Sequence, residues 1–148
     1  MNQDFVEMLS ALSEAGADFL LIGAHALAAH GRPRATGDLD IWVRPTHENA
    51  SRVWAALLRF GAPLHEISLA DLRTPGVVFQ IGLVPSRIDL LTSISGVEFD
   101  DAWNNRITIS VSGVTIPTIG REDLIRNKLA AGRPRDLADA AELNEDTA

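Results

Sequence analysis

Two carboxylates stand two residues apart in "DLDIWV", residues 38–43. The run otherwise reads as a strand, and strand side chains alternate between faces. Asp38, Asp40 and Trp42 therefore share one face, and Leu39, Ile41 and Val43 share the other, which is expected to be core. Burying a carboxylate is costly unless it is paired, and two so close raise each other's pKa. Two arrangements relieve the conflict. One is an exposed strand start with ion pairs to Arg32 or Arg34. The other is a divalent cation: Mg²⁺ is hard, prefers oxygen ligands, and is commonly held by one or two carboxylates plus substrate phosphates.

A third isolated carboxylate, Asp89, lies between Ile88 and Leu90 in another apolar run. If the strands bring it beside the first two, the trio could hold two metals, which stabilise attacking and leaving oxygens in phosphoryl transfer. Upstream, "LLIGAHALAAHG" reads as strand, glycine, helix. Such a turn offers backbone N–H groups to phosphate; its plain alternative is a tight connection at Gly23. It is neither a dinucleotide fingerprint nor a Walker loop.

Other candidates each have two readings. Arg34 could neutralise phosphate or pair with the aspartates, since arginine suits both roles. Arg32 reads as a solvated loop charge. Lys128 could reach a cleft and touch phosphate, or pair with Asp136 or Asp139, which share a face of the next helix. His25 follows the glycine turn and could contact a nucleotide, or be an ordinary surface or satisfied histidine. His25 and His30 lack the i, i+4 zinc spacing, and no H-E-x-x-H occurs. Trp42 could flank a base or pack in the core. Cysteine is absent and there is no G-x-S-x-G elbow, so cysteine nucleophiles and an elbow-type serine hydrolase are excluded.

The elements that must position these residues follow from periodicity. Residues 3–15 read as an amphipathic helix through Phe5, Met8, Leu9 and Leu12. "FLLI" (19–22) is a buried strand, 24–31 a helix, 31–37 a loop and 38–43 a strand. Thr46 caps a helix over 47–60 with Ala50, Val53, Trp54, Leu57 and Leu58 inward. "SLADLR" gives a helical turn. "GVVFQIGL" and "SRIDLLT" form a hairpin across "VPS", and "FDDAWNN" is a short helix. A strand pair turns at Ser112-Gly113, and helices near 121–131 and 135–144 break at "GRP". This order predicts an α+β domain with a mixed sheet flanked by helices. The whole chain, 1–148, is expected to be a single domain, with a core of about 1–116 and a C-terminal helical pair over about 117–148.

The composition is globular: 46% hydrophobic and 22% charged, with a net charge of -7. That balance argues against general nucleic-acid binding. No apolar run spans a bilayer. "MNQDFVEMLS" lacks the pattern of a secretory signal, so a cytoplasmic protein is expected.

Together these pieces resemble the polymerase-beta-type nucleotidyltransferase superfamily. Ile22-Gly23-Ala24 is followed by 13 residues and then Asp38-Leu39-Asp40-Ile41, and Asp89 matches the family's third carboxylate. The stretches "IGAHALAAHGRPRATGDLDIWV", "SRIDLLTSISGVEFDDAWNNR" and "LIRNKLAAGRPRDLADAAEL" resemble a smaller branch related to AbiE-type abortive-infection toxins. The resemblance implies the minimal nucleotidyltransferase fold. It implies catalytic, metal-holding Asp38, Asp40 and Asp89 with two Mg²⁺ ions, Mn²⁺ being an alternative. It places nucleotide contacts at Gly23, Ala24, His25, Arg34, Thr36 and Lys128, an NTP as donor, and a hydroxyl acceptor it does not name. A rival reading is a toxin acting on tRNA or protein and restrained by a cognate antitoxin or partner protein. Another is a non-catalytic nucleotide binder. Ala24 stands where the family has Gly or Ser, removing a hydroxyl and disfavouring a glycine-only backbone angle.

Overall fold

A computed structural model describes residues 1–83 and 85–147 of the chain. Val84, in the expected "VPS" link, lies outside the described residues. The chain runs α1 (Gln3–Glu14), β1 (Phe19–Ile22), α2 (Gly23–Ala29), β2 (Asp38–Val43) and α3 (His47–Phe60). A 3₁₀ turn and the short α4 (Leu69–Leu72) lead to β3 (Val78–Ile81), β4 (Arg87–Leu91) and α5 (Phe99–Asn104). β5 (Ile107–Val111), β6 (Val114–Thr118), α6 (Arg121–Ala131) and α7 (Pro134–Thr147) complete it.

The six strands form one mixed sheet in the order β3-β4-β2-β1-β6-β5. β2 runs antiparallel to β1 and parallel to β4, while β3–β4 and β5–β6 are antiparallel hairpins. The second hairpin turns through Ser112 (φ 50°) and Gly113 (φ 82°), the successive positive angles that a tight hairpin turn demands. α3 starts where Thr46 Oγ1 accepts from Asn49 N and stops at Gly61, whose φ of 86° ends the helix.

Both faces of the sheet are covered, which differs from the expectation of a single core face. Leu39, Ile41 and Val43 pack with Phe19 and Leu21 beneath α1 and α3. On the aspartate side Trp42 is buried with Leu20, Ile22, Leu27, Phe99, Leu124 and Leu143. The C-terminal helices therefore roof the same face that carries Asp38 and Asp40. All four residues of β1 are buried, because both of its faces are covered. In α3 the buried stripe is Ala50, Val53, Ala56 and Leu57; Trp54 is half-buried and Leu58 is 59% exposed. Leu58 sits about 100° around the helix from Leu57, and that rotation takes it off the apolar stripe. Among the described residues no helix is long and apolar enough to cross a membrane.

Candidate active site

The parallel pairing of β2 with β4 builds the site. Its register sets Asp38 beside Arg87, Asp40 beside Asp89 and Trp42 beside Leu91. Paired residues of parallel neighbours project to the same side, so three carboxylates and one guanidinium share a short stretch of one sheet face. Burial first, then the charges of Asp89 and Asp38, push the Asp40 carboxyl up to about 6. Asp38 Oδ1 is buried without a hydrogen-bond partner.

Arg87 lies across the trio. Its Nη2 donates to Asp38 Oδ2 at 2.7 Å and to Asp89 Oδ2 at 3.3 Å. Its Nε stands 3.2 Å from Asp89 Oδ1, close enough for an ion pair but without hydrogen-bond alignment. The sequence alone suggests Arg32 or Arg34 as partners of the aspartates; the structure supplies Arg87 instead. Strand alternation was the available signal, since Arg87 precedes Asp89 by two and must share its face. In this arrangement no three His, Asp or Glu side chains among the described residues are grouped as a ready metal shell.

Gly23 fixes Asp40 from the other side. Its φ is +67°, and a Cβ there would lie 2.2 Å from Asp40 Oδ2. The positive angle falls on Gly23 and not on Ala24, so alanine at position 24 carries no backbone strain. Beside the carboxylates opens a cleft of about 670 Å³, within the range of small-molecule sites. Gly23, Ala24, Arg34, Thr36 and Lys128 all line it, with Asp38, Asp40 and Asp89.

His25 is not among the lining residues. Its ring meets Phe5 of α1 edge-on with centroids 5.7 Å apart, and burial pulls its pKa down. Thr36 Oγ1 accepts from Asp38 N at 3.1 Å, which pins the start of β2. The wall facing the carboxylates belongs to α6 and α7. Lys128 Nζ stands 3.2 Å from Asp139 Oδ2 and 3.6 Å from Asp136 Oδ1. Arg34 pairs with Asp139, and Arg133 Nε donates to Asp136 Oδ2 at 2.6 Å. The Arg133 hydrogen bond comes first among the causes that hold the Asp136 carboxyl below its usual range. Arg32, read as a solvated loop charge, is tied to α7 through Asp146 at 2.7 Å. Both loop arginines are thus anchored to a helix more than a hundred residues away, a separation beyond the reach of local pattern.

A second groove of about 460 Å³ shares Ser93 and Ile94 with the cleft and is lined by Trp42 and Phe99. Nothing in the sequence pattern marked it.

The raised Asp40 pKa has a consequence in the metal-free chain. The folded state holds this proton up to about pH 6, whereas an unfolded carboxyl releases it near 4. The folded state therefore binds more protons between those values, and its stability falls as pH rises through that window. Between pH 7 and 5 wild type is expected to gain about 1 kcal/mol relative to Asp40→Asn. Urea melts of both proteins at the two pH values check this; equal gains refute it.

Among solved structures, a Thermotoga maritima protein given a provisional nucleotidyltransferase assignment superposes with a TM-score of 0.64 at 15% identity, covering 95% of this chain and 90% of that one. At that identity the likeness concerns the fold: a mixed six-stranded sheet flanked by helices. No curated protein matches the chain. The family described as "Nucleotidyl transferase of unknown function (DUF2204)" matches residues 1–146, and the chain belongs to it.

Proposed function

We propose that this chain transfers a nucleoside monophosphate from an NTP to a hydroxyl acceptor and releases pyrophosphate. The observation that carries the reading is the pairing of Asp40 with Asp89, with Asp38 one step along the same face, at the edge of a nucleotide-sized cleft. Hard oxygen donors, including the unpartnered Asp38 Oδ1, fit Mg²⁺. Bound by Asp38, Asp40 and Asp89, Mg²⁺ would offset phosphate charge as the bond to the leaving group breaks.

The chain's own groups do the rest. Gly23 and Ala24 present backbone N–H groups to the phosphates. Arg34, Thr36 and Lys128 line the space that the triphosphate would fill. Asp89 takes the acceptor's proton as its oxygen bonds to the α-phosphorus, and the bond from that phosphorus to pyrophosphate breaks. The chemistry rests on positioning and charge more than on a covalent nucleophile. The groove beside Trp42, which meets the cleft at Ser93 and Ile94, is the candidate approach for the acceptor.

Calorimetry with ATP, GTP, CTP and UTP in Mg²⁺, followed by labelled pyrophosphate release, tests the reading. At least one triphosphate should bind with micromolar affinity and turn over once an acceptor is supplied. Absence of binding by all four sinks it.

A toxin role within the AbiE-like branch is a second reading. It rests on the resemblance of the stretch "LIRNKLAAGRPRDLADAAEL" to that branch. Growth arrest on expression, relieved by a co-expressed neighbouring protein and absent in Asp40→Asn, is its signature.

A further inference from the structure

Among the described residues Arg87 is the one cation placed directly on the carboxylate trio, and the proposed reaction does not use it. Its guanidinium touches both Asp38 and Asp89, at 2.7 Å and 3.2 Å. Of the other cations along the cleft, Arg34, Lys128 and Arg133 are held by Asp136 and Asp139 of α7, and Arg135 lines it at the start of α7, away from the carboxylate oxygens that Arg87 holds. A guanidinium does not lose its proton at any ordinary pH. It therefore cannot yield those carboxylate oxygens by titrating; it must move. The side chain is 31% exposed and lines the cleft, so it has open space to move into.

Resting on the reading of the cleft as a triphosphate site, we propose that Arg87 is a tethered counter-ion. It holds Asp38 and Asp89 while the cleft is empty and turns to the phosphates when a triphosphate arrives, freeing the oxygens for a divalent cation. The guanidinium and a hard cation compete for the same oxygens, Asp38 Oδ2 and the Asp89 carboxylate. Without a counter-ion the trio would be like charges on neighbouring strand positions, and a guanidinium there relieves the repulsion in the empty state. A triphosphate is the partner that could draw the guanidinium off, because planar N–H donors match phosphate oxygens two at a time. The outcome is coupling between cation and triphosphate, equal in both directions by thermodynamic necessity. The cleft would then resist loading with metal alone.

The test is a Mn²⁺ titration of the full chain, followed by electron paramagnetic resonance, without and with inorganic triphosphate. Wild type, Arg87→Ala, Arg87→Gln, Arg87→Lys and Asp40→Asn are compared. In wild type, triphosphate should tighten Mn²⁺ binding by about tenfold or more, within the ordinary range of such couplings. Arg87→Ala and Arg87→Gln should bind Mn²⁺ alone about tenfold tighter than wild type and lose most of the further gain from triphosphate. Arg87→Lys, still cationic but unable to bridge two carboxylates, should fall between. Arg87→Gln keeps the experiment decisive if the alanine variant fails to fold.

The proposal is overturned if the neutral variants bind Mn²⁺ alone no tighter than wild type, or more weakly, while Asp40→Asn abolishes binding. Arg87 would then only brace the carboxylates, and the reading of the cleft would survive. If Mn²⁺ binds no better to wild type than to Asp40→Asn, with or without triphosphate, the reading of the cleft falls and the proposal with it.

Discussion

Asp40→Asn is expected to stay folded and to be more stable than wild type at neutral pH, while the proposed pyrophosphate release is expected to fall by roughly 10³-fold or more. The two effects share a cause. Asp40 is mostly buried beside Asp38 and Asp89, and its carboxyl is pushed up to about 6. Keeping it ionised at pH 7 therefore works against folding, by roughly 2–3 kcal/mol in the metal-free chain. Asparagine has nearly the same shape and removes that charge. It also removes a hard anionic oxygen from the proposed cation site, where charge neutralisation carries several kcal/mol of the rate. Thermal melts and the labelled-pyrophosphate assay on the same preparation measure both. A variant that is less stable than wild type breaks the electrostatic account, and one that stays active breaks the catalytic account.

Gly23→Ala is the second large effect, and it should strike stability and activity together. The φ of +67° alone costs an L-residue about 1–2 kcal/mol. The added Cβ would also meet Asp40 Oδ2 at 2.2 Å, Cγ at 3.0 Å and Cβ at 3.1 Å. Turning the carboxylate does not relieve contacts with Cγ and Cβ, so α2 or β2 must shift. The expected loss is about 3 kcal/mol, combining the backbone cost with overpacking, which for a chain of this size lowers Tm by roughly 10 °C. Gly16 provides the control. Its φ is +72°, yet nothing lies within 4 Å of a Cβ there, so Gly16→Ala carries only the backbone cost, about 1–2 kcal/mol, and leaves turnover per folded molecule unchanged. Equal losses of stability and activity in the two variants would show that the contact with Asp40 is unimportant.

How much of this was legible in the sequence depends on the distance each feature spans. β2 and α3 could be read to the residue, since alternation marks one and Thr46 and Gly61 bound the other. The common face of Asp38 and Asp40 is a local property and needed no tertiary information. The place of Asp89 had to be inferred, because parallel register is set by the whole sheet. Arg87 could have been found by applying to β4 the alternation already used on β2. The links from Arg32 and Arg34 to α7 could not, since they depend on how α7 packs across the sheet. The buried state of Trp42 follows from the same roof.

The position of that roof bears on when the molecule becomes competent. β1, β2 and β4 bring the carboxylates together within the first 91 residues. Lys128, a cation of the facing wall, and the aspartates that hold Lys128 and Arg34 lie on α6 and α7. During synthesis a nascent chain that has released β4 owns an acidic patch on one sheet face with no opposing wall. Pairings of such high sequence separation also form slowly. A half-made chain is thus electrostatically poor at attracting a polyanionic nucleotide, and the order of translation itself delays the appearance of any transferase activity.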